Sequence, residues 1–236
     1  MSFAAHLLAR WFSGPGLNED GRARLQAWRA RAEPDLSAPH AELRHVVLDV
    51  ETSGLSVHSD HLIAIGAVAV VDLRISLADS FHVVLRQAAP SSDANILVHR
   101  IGGTAQMEGE ESVESLLCFL DFVGKSPLVG FHAPFDEIMI RRAMRAHLGL
   151  SFRRKWLDLA WLAPALLPEV KATGLDDWTG RFGIVNANRH NALADAMATA
   201  RLFLVLQHQA QGRGLKTVED LMKSARAREW LGAQKP

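Results

Sequence analysis

Three apolar runs in the first half of the chain predict β-strands. They cover residues 46–48, 62–71 and 81–85, and turn-forming residues at 53–60 separate the first two runs. Short continuous apolar runs bounded by turn residues are typical of strands buried inside a domain. We therefore expect a sheet to begin near His45.

The second half of the chain alternates helical and strand patterns. Two short apolar segments, at residues 128–131 and 156–159, fit strands. Helical patterns cover residues 112–123, 136–148, 175–182, 191–209 and 215–231. Three strands followed by alternating helices and strands favour a mixed sheet with helices on its faces. The predicted fold class is α/β, with a mixed five-stranded sheet flanked by helices.

A helical pattern precedes the first strand. Trp11, Leu25 and Trp28 are spaced among arginines, and Pro34 and Pro39 then interrupt the pattern. Residues 1–12 lack the charged start and cleavage site of a signal peptide, and they are also expected to be helical. We expect a small N-terminal helical appendage over residues 1–40, a central domain over residues 41–212 and a C-terminal helix over residues 213–236.

Composition changes this picture only slightly. Lysine plus arginine number 26, as do aspartate plus glutamate, so the whole chain exerts no long-range attraction on a polyanion. The longest apolar run, residues 63–71, is shorter than the roughly 18 residues that a membrane span needs. The single cysteine, Cys118, cannot form a disulfide within the chain, which suits a reducing compartment. We expect a cytoplasmic protein without a membrane partner.

The first candidate site lies at the end of the strand that begins near His45. Asp49 and Glu51 are two residues apart, so their side chains share one face of a strand, while Val50 faces the opposite layer. Adjacent carboxylates repel each other, and a shared cation such as Mg²⁺ or Mn²⁺ relieves that repulsion. Two solvated acids at a strand end would give the same pattern, so both interpretations stay open for this segment alone.

Asp136 occupies the start of a predicted helix. It follows the short strand at residues 128–131, and Pro134 beside it suits a first helical turn. The helix dipole stabilises a carboxylate at this position. An acid that merely starts a helix is the simpler interpretation, and His132 equally fits a structural histidine.

His190 and Asp195 lie where the longest predicted helix begins. Five positions along a helix amount to a rotation of about 140°, so the two side chains cannot face one point from within the helix. His190 must therefore come from the entering loop. Alanine at every fourth position (192, 196 and 200) lets the helix approach the sheet closely, which would place Asp195 over the strand with the first two acids. A surface or capping histidine is the alternative for His190.

Two clusters of basic residues also have two interpretations. Arg141, Arg142 and Arg145 are expected to face outward from a helix, and residues 153–155 form a basic run. Both clusters fit a path for a phosphate backbone. Exposed charges on helices are more typically solvated faces, so neither cluster is assigned to the site.

Together, the three acidic segments resemble the DnaQ-like family of 3′-to-5′ exonucleases, which includes the epsilon subunit of bacterial DNA polymerase III. The resemblance extends from about residue 45 to residue 207 and includes residues 62–68, 99–102 and 176–184. Within this family the chain resembles the DEDDh branch. The DEDDy branch needs a tyrosine where this chain has Asn191, and the chain contains no tyrosine. A ribonuclease-H-like fold is implied.

The resemblance also implies a metal-dependent exonuclease that releases nucleoside 5′-monophosphates. Four carboxylates would hold two divalent ions, Mg²⁺ or Mn²⁺; they are Asp49, Glu51, Asp136 and Asp195. His190 would be the general base. Three residues would border the terminal nucleotide: Thr52, Gly54 and Leu55. The implied partner is DNA or RNA with a free, single-stranded 3′ end.

Three departures from the family pattern mean that the resemblance does not determine the residues of the substrate pocket. Thr52 and Ser53 replace two threonines, Phe131 and His132 replace a histidine-asparagine pair, and Ala64 stands where a glutamate is frequent. None of these departures removes a metal ligand. No polymerase-binding tail or clamp motif is evident, so a polymerase partner is not implied. A non-catalytic nucleic-acid-binding or scaffold module of the same fold is the alternative.

Overall fold

A five-stranded sheet forms the centre of the computed structural model, which describes residues 17–186 and 188–233. The strands are β1 (His45–Thr52), β2 (Leu62–Val71), β3 (Arg74–Val84), β4 (Leu128–Gly130) and β5 (Trp156–Asp158). They lie in the order β3-β2-β1-β4-β5. β1 is antiparallel to β2 and parallel to β4, so the sheet is mixed, as the sequence predicts.

Nine helices surround the sheet within the described residues. They are α1 (Glu19–Ala30), α2 (Asp93–His99), α3 (Gly103–Met107), α4 (Ser112–Val123), α5 (Ala133–Leu148), α6 (Leu159–Leu166), α7 (Leu175–Arg181), α8 (Ala192–Gly212) and α9 (Val218–Ala233). None of these helices combines the length and the apolarity that a bilayer crossing needs. Core residues of α1, α4 and α5 pack on one face of the sheet, and those of α6 to α9 pack on the other. The predicted α/β class is confirmed.

The alternation of side chains along β1 decides which face carries the acids. Leu48 and Val50 are buried with α1, α4 and α5, whereas Val47 is buried against α6 to α9. Successive residues of a strand point to opposite faces, so Asp49 and Glu51 lie on the same face as Val47. Both acids therefore face the layer that contains α8, and Val50 faces the opposite layer as predicted.

The hairpin between β2 and β3 explains why the third strand is longer than predicted. Its turn residues, Asp72 and Leu73, have φ values of 49° and 57°, which are typical of a tight two-residue hairpin turn. Such turns favour Asn or Gly, and leucine gives no signal for one. β3 is also an edge strand whose residues are mostly exposed or half-buried. Its polar pattern therefore reveals only residues 81–85 as a strand.

The sequence pattern does not predict α2, α3 or α6. α2 and α3 have only seven and five residues, which is too short for a helical period to be recognised. α6 contains Pro164, a residue that normally ends a helix. The longer helices agree with their predicted ranges, and α4 begins and ends at the predicted residues 112 and 123.

α1 belongs to the core of the sheet domain. Leu25 and Trp28 are buried in the same cluster as β1 and α5. Trp28 Nε1 donates a hydrogen bond to the Gly124 carbonyl oxygen at 2.7 Å, and Lys125 Nζ lies 3.8 Å from the centre of the indole ring. Trp11 and the helix expected over residues 1–12 lie outside the described residues.

We predict that Trp28→Ala lowers the free energy of unfolding by about 3 to 5 kcal/mol, the usual range for removing a buried aromatic side chain. The substitution also removes the hydrogen bond to Gly124. Urea unfolding followed by circular dichroism would measure the change. Trp230→Ala is the control, because Trp230 is 62% exposed. An equal effect of the two substitutions would contradict the placement of Trp28 in the core.

Candidate active site

Asp49 and Glu51 lie in the last part of β1. Asp49 is paired with Gly66 of β2, and Glu51 is paired with Ala64. The register of this ladder shifts between Glu51 and Thr52, where regular pairing ends. The two carboxylates are therefore held on a paired strand at the point where the strand leaves the sheet.

The first residues of α8 lie against the sheet at Gly66. A Cβ atom on Gly66 would lie 2.1 Å from the Leu193 amide nitrogen and 2.2 Å from the Ala192 carbonyl carbon. The absence of a side chain permits this contact between the backbones of a strand and a helix. Ala192, Ala196 and Ala200 are buried along the same helix. The close approach that the alanine spacing predicts is confirmed, and Gly66 is the residue of the sheet that allows it.

Asp195, in the first turn of α8, organises the loop before the helix. Its Oδ1 accepts a hydrogen bond from Asn186 Nδ2, and its Oδ2 accepts one from the His190 backbone nitrogen at 2.9 Å. Arg189 Nη1 lies 3.7 Å from Oδ1. His190 is exposed and has a φ of 60°, in the left-handed region. It therefore belongs to the entering loop, as predicted, and Asp195 fixes its backbone.

Three carboxylates come together at this point. One oxygen atom each of Asp49, Glu51 and Asp195 lies within 4.8 Å of the other two. Glu51 and Asp195 are only 9% and 5% exposed. Glu51 Oε1 is buried and has no hydrogen-bond partner among the described residues. Buried acids this close together are unfavourable without a cation, so the cluster has the composition of a divalent-metal site.

Burial and mutual repulsion raise the pKa values of these acids. Burial is the largest cause that raises the pKa of Asp49 well above its usual value, and the charges of neighbouring acids, with Asp136 first, add to it. Burial, with the charge of Asp195, raises the pKa of Glu51 to about 7. The positive charge of Arg189 opposes both shifts. A bound cation would do the same more strongly, since it stabilises the ionised carboxylates.

Asp136 approaches the same strand end from α5. The helix has Pro134 in its first turn, as predicted, and Asp136 is 5% exposed. Burial raises the pKa of Asp136 well above its usual value; hydrogen bonding from the Val50 backbone opposes this shift, and the charge of Asp158 adds to it. Asp136 is not one of the three acids that lie within 4.8 Å of one another. It therefore borders the cluster.

Asp158 is an acid at the site that the sequence motifs do not identify. It ends β5, and its Oδ1 accepts hydrogen bonds from the backbone nitrogens of His132 and Ala160, both at 2.9 Å. These bonds cap α6 and hold His132, whose φ is 61°, at the start of α5. Burial raises the pKa of Asp158. An aspartate between a short apolar strand and a helix is the N-cap signal that would have identified it.

The turn after β1 carries the predicted substrate-binding residues. Thr52 Oγ1 donates a hydrogen bond to the Gly54 carbonyl oxygen at 2.7 Å, and the Thr52 carbonyl oxygen accepts one from Asn95 Nδ2 at 2.6 Å. A Cβ atom on Gly54 would lie 2.5 Å from the carboxylate of Asp60. Leu55 is 89% exposed. Thr52 and Gly54 thus shape the turn, and Leu55 presents an apolar side chain to solvent.

A protein-family model of the RNase T type, described as an exonuclease, matches residues 46–203. The match covers more than half of the 236 residues. It includes the end of β1, the start of α5 and the start of α8, which are the three elements that bring the acids together.

Named relatives contain a similar segment within much longer proteins. The DNA polymerase III of PolC type from Thermotoga petrophila is 32% identical over 179 residues, which are 75% of this chain and 13% of that protein. A DNA polymerase III subunit epsilon-like protein from Rhodobacter capsulatus is 31% identical over 191 residues, which are 80% of this chain and 27% of that protein. The chain therefore spans only a small part of the length of these relatives.

Solved structures of exonucleases share the fold. E. coli Exonuclease I in complex with a dT13 oligonucleotide covers 72% of this chain and 42% of its own, with a TM-score of 0.63 and 17% identity. Exonuclease X in complex with 5′ overhanging duplex DNA covers 78% of this chain and 99% of its own, with a TM-score of 0.60 and 20% identity. These similarities confirm the predicted ribonuclease-H-like arrangement of a mixed sheet flanked by helices.

The contact at Gly66 predicts that Gly66→Ala lowers the free energy of unfolding by about 2 kcal/mol or more, because the added methyl group must displace backbone atoms of α8. Gly180→Ala is the control, since a Cβ there would meet nothing within 4 Å and alanine favours a helix by up to about 1 kcal/mol. Urea unfolding of both variants measures the difference. A Gly66→Ala protein as stable as the wild type would show that α8 does not lie this close to β2.

The raised pKa of Glu51 predicts that, in EDTA, the wild type loses stability relative to Glu51→Gln as the pH rises from about 4.5 to about 7. The folded state holds the Glu51 proton more tightly than the unfolded state does, so raising the pH favours unfolding. Over this pH range, the Glu51 carboxyl lowers the free energy of unfolding by about 3 kcal/mol. Urea unfolding of the wild type and of Glu51→Gln across this pH range measures it, since the variant cannot titrate at this position. If the difference in stability between the two proteins is independent of pH, the Glu51 carboxyl does not have a raised pKa.

Proposed function

This chain belongs to the exonuclease family whose model matches residues 46–203, and on that premise we propose that it is a metal-dependent 3′-to-5′ exonuclease. It hydrolyses the terminal phosphodiester bond of DNA or RNA and releases nucleoside 5′-monophosphates. The observation that carries the proposal is the convergence of Asp49, Glu51 and Asp195 within 4.8 Å, beside the loop that carries His190. The complexes of Exonuclease I and Exonuclease X with DNA support a nucleic-acid substrate.

The carboxylate cluster fits divalent cations. Carboxylate oxygens are the ligands that Mg²⁺ and Mn²⁺ prefer, and the buried Glu51 Oε1 lacks the partner that a cation would provide. The proposed ligands of two ions are Asp49, Glu51, Asp136 and Asp195. When bound, the two ions supply Lewis-acid chemistry, which makes water more acidic and offsets negative charge on the phosphate.

His190 is the proposed general base. Its backbone nitrogen is held by Asp195, and the residue is exposed to solvent, where a substrate can reach its ring. Histidine is the side chain that most often serves as a general base, so the ring can remove a proton from the attacking water while the phosphodiester bond is cleaved. Because Asp195 anchors the backbone of the loop, the His190 backbone stays close to the carboxylates.

The terminal nucleotide lies, in this proposal, against the turn after β1. Thr52 and Gly54 fix the shape of the turn through their hydrogen bond, and the exposed Leu55 offers an apolar surface to the terminal base. Apolar contact with the face of a base does not depend on which base it is. The turn therefore suits a free, single-stranded 3′ end of any sequence.

Degradation of a single-stranded oligonucleotide labelled at its 5′ end tests this proposal. We predict that cleavage proceeds from the 3′ end, requires Mg²⁺ or Mn²⁺ and stops in EDTA.

Asp49→Asn and Asp195→Asn should each abolish cleavage, because each removes a proposed ligand. His190→Ala should lower the single-turnover rate by about 10² to 10⁴. Mn²⁺ should still raise the melting temperature of His190→Ala, because its carboxylates remain and a ligand of the folded state stabilises it.

Glu108→Gln is the control for loss of a negative charge, because Glu108 is an exposed acid outside the cluster. It should degrade the oligonucleotide at the wild-type rate. A wild-type protein that binds the oligonucleotide and leaves it intact in Mn²⁺ would contradict the proposal. That result would identify the alternative, a non-catalytic nucleic-acid-binding or scaffold module.

A further inference from the structure

A cleft of about 680 Å³ lies beside the turn that follows Glu51. Its walls are the turn after β1, the loop that follows β3, and one side of α5. Ser53 lines the cleft and comes directly after Thr52 in the chain, so the cleft begins next to the proposed position of the terminal nucleotide. Its volume is within the range of about 300 to 1,000 Å³ that ligand sites occupy.

Two arginines of the cleft are held in place by backbone carbonyl groups. Arg142 Nη1 donates hydrogen bonds to the carbonyl oxygens of Val57 and Asp60, at 2.6 Å and 2.9 Å. Arg86 Nε donates one to the Gly109 carbonyl oxygen at 3.0 Å. Each guanidinium group has further N–H groups beyond the ones used in these bonds. The two cations are therefore oriented in advance and retain donors for another partner.

Neither arginine forms an ion pair with a carboxylate within the described residues. Arg141, the neighbour of Arg142 on α5, pairs instead with Glu137 at 3.5 Å. The sequence predicts that Arg141, Arg142 and Arg145 all face outward. This expectation is wrong for Arg142, which is half-buried because its guanidinium group turns back to the carbonyl groups of the turn.

The remaining titratable groups of the cleft leave its charge positive. Asp60 is the one carboxylate among the residues that line it, and His61 and His147 are its histidines. Both oxygens of Asp60 are occupied within the turn, by Ser53 Oγ at 3.0 Å and by the Ser56 backbone nitrogen at 2.7 Å. The cleft therefore holds two arginines against one carboxylate that bonds within the turn, although the whole chain has equal numbers of acidic and basic residues.

We propose that this cleft binds the phosphate backbone of the substrate strand upstream of its 3′ end, with Arg86 and Arg142 each contacting a phosphate group. The proposal rests on the proposed exonuclease function. Guanidinium groups match the geometry of phosphate oxygens, and contacts to phosphates position a strand without reading its sequence. A local pair of oriented cations also explains how a chain without net charge can hold a polyanion.

Two substrates separate this cleft from the proposed catalytic site. The p-nitrophenyl ester of thymidine 5′-monophosphate has no upstream strand, whereas an oligothymidylate of about twelve nucleotides extends well beyond a terminal site. We predict that Arg86→Gln and Arg142→Gln each weaken binding of the long strand about tenfold. Each should also reduce the slope of log Kd against log salt concentration by about 0.7. Both variants should hydrolyse the ester at the wild-type rate.

Arg141→Gln and Arg145→Gln are controls on the same helix, and both should bind the long strand as the wild type does.

Binding is measured by fluorescence anisotropy of a labelled strand in EDTA, so the result does not depend on cleavage. Unchanged affinity and salt dependence in Arg86→Gln and Arg142→Gln would overturn the proposal. If Arg142→Gln lowers the rate of ester hydrolysis as much as it lowers the affinity for the strand, Arg142 only supports the turn. Arg86 is at an exposed position, so the affinity of Arg86→Gln for the strand then decides whether the cleft binds phosphate groups. A wild type that hydrolyses neither substrate would contradict the exonuclease function while the anisotropy still tests the cleft.

Discussion

The backbone contact between α8 and β2 at Gly66 determines the geometry on which the site depends. Because no side chain intervenes, the first turn of the helix lies directly beside the strand pair that carries Asp49 and Glu51. Asp195, within that first turn, then joins the two acids. His190 follows because its backbone nitrogen is bound to Asp195. Gly66 therefore links three features of the site: the register of the sheet, the packing of α8 and the conformation of the loop that carries His190.

Gathering acids at a buried strand end opposes folding, and the raised pKa values of Asp49, Glu51 and Asp136 reflect their burial first and their mutual repulsion second. The protein offsets part of it with its own groups. Arg189 lies near Asp195, and backbone nitrogens donate to Asp158. The apolar layers on both faces of the sheet hold the strand in place, so the acids cannot relax apart as they would on a mobile loop.

The sequence predicts those features that depend on local patterns. β1, β2 and α4 are continuous or periodic runs, and the candidate acids and His190 lie at the ends of such runs. The close approach of α8 to the sheet is predicted from its alanine spacing, but other features that depend on distant residues are missed. Asp158 gains its role from His132, 26 positions away, and Arg142 turns inward because carbonyl groups 82 and 85 positions away accept its hydrogen bonds. Leu73 and Pro164 are missed for another reason. Leu73 has a positive φ and Pro164 lies inside a helix, and each residue type disfavours that backbone position.

Asp195 has two roles that are both lost when its side chain is removed. One of its oxygens accepts the hydrogen bond of the His190 amide, while the side chain also belongs to the carboxylate cluster. Removing it therefore disturbs the loop of His190 as well as the acids. In a double-mutant cycle, the free-energy changes at these two positions would be coupled and would not add. Rate losses measured at Asp195 therefore combine the loss of an acid with the displacement of a loop, whereas His190→Ala keeps the backbone nitrogen that Asp195 holds and reports on the imidazole alone.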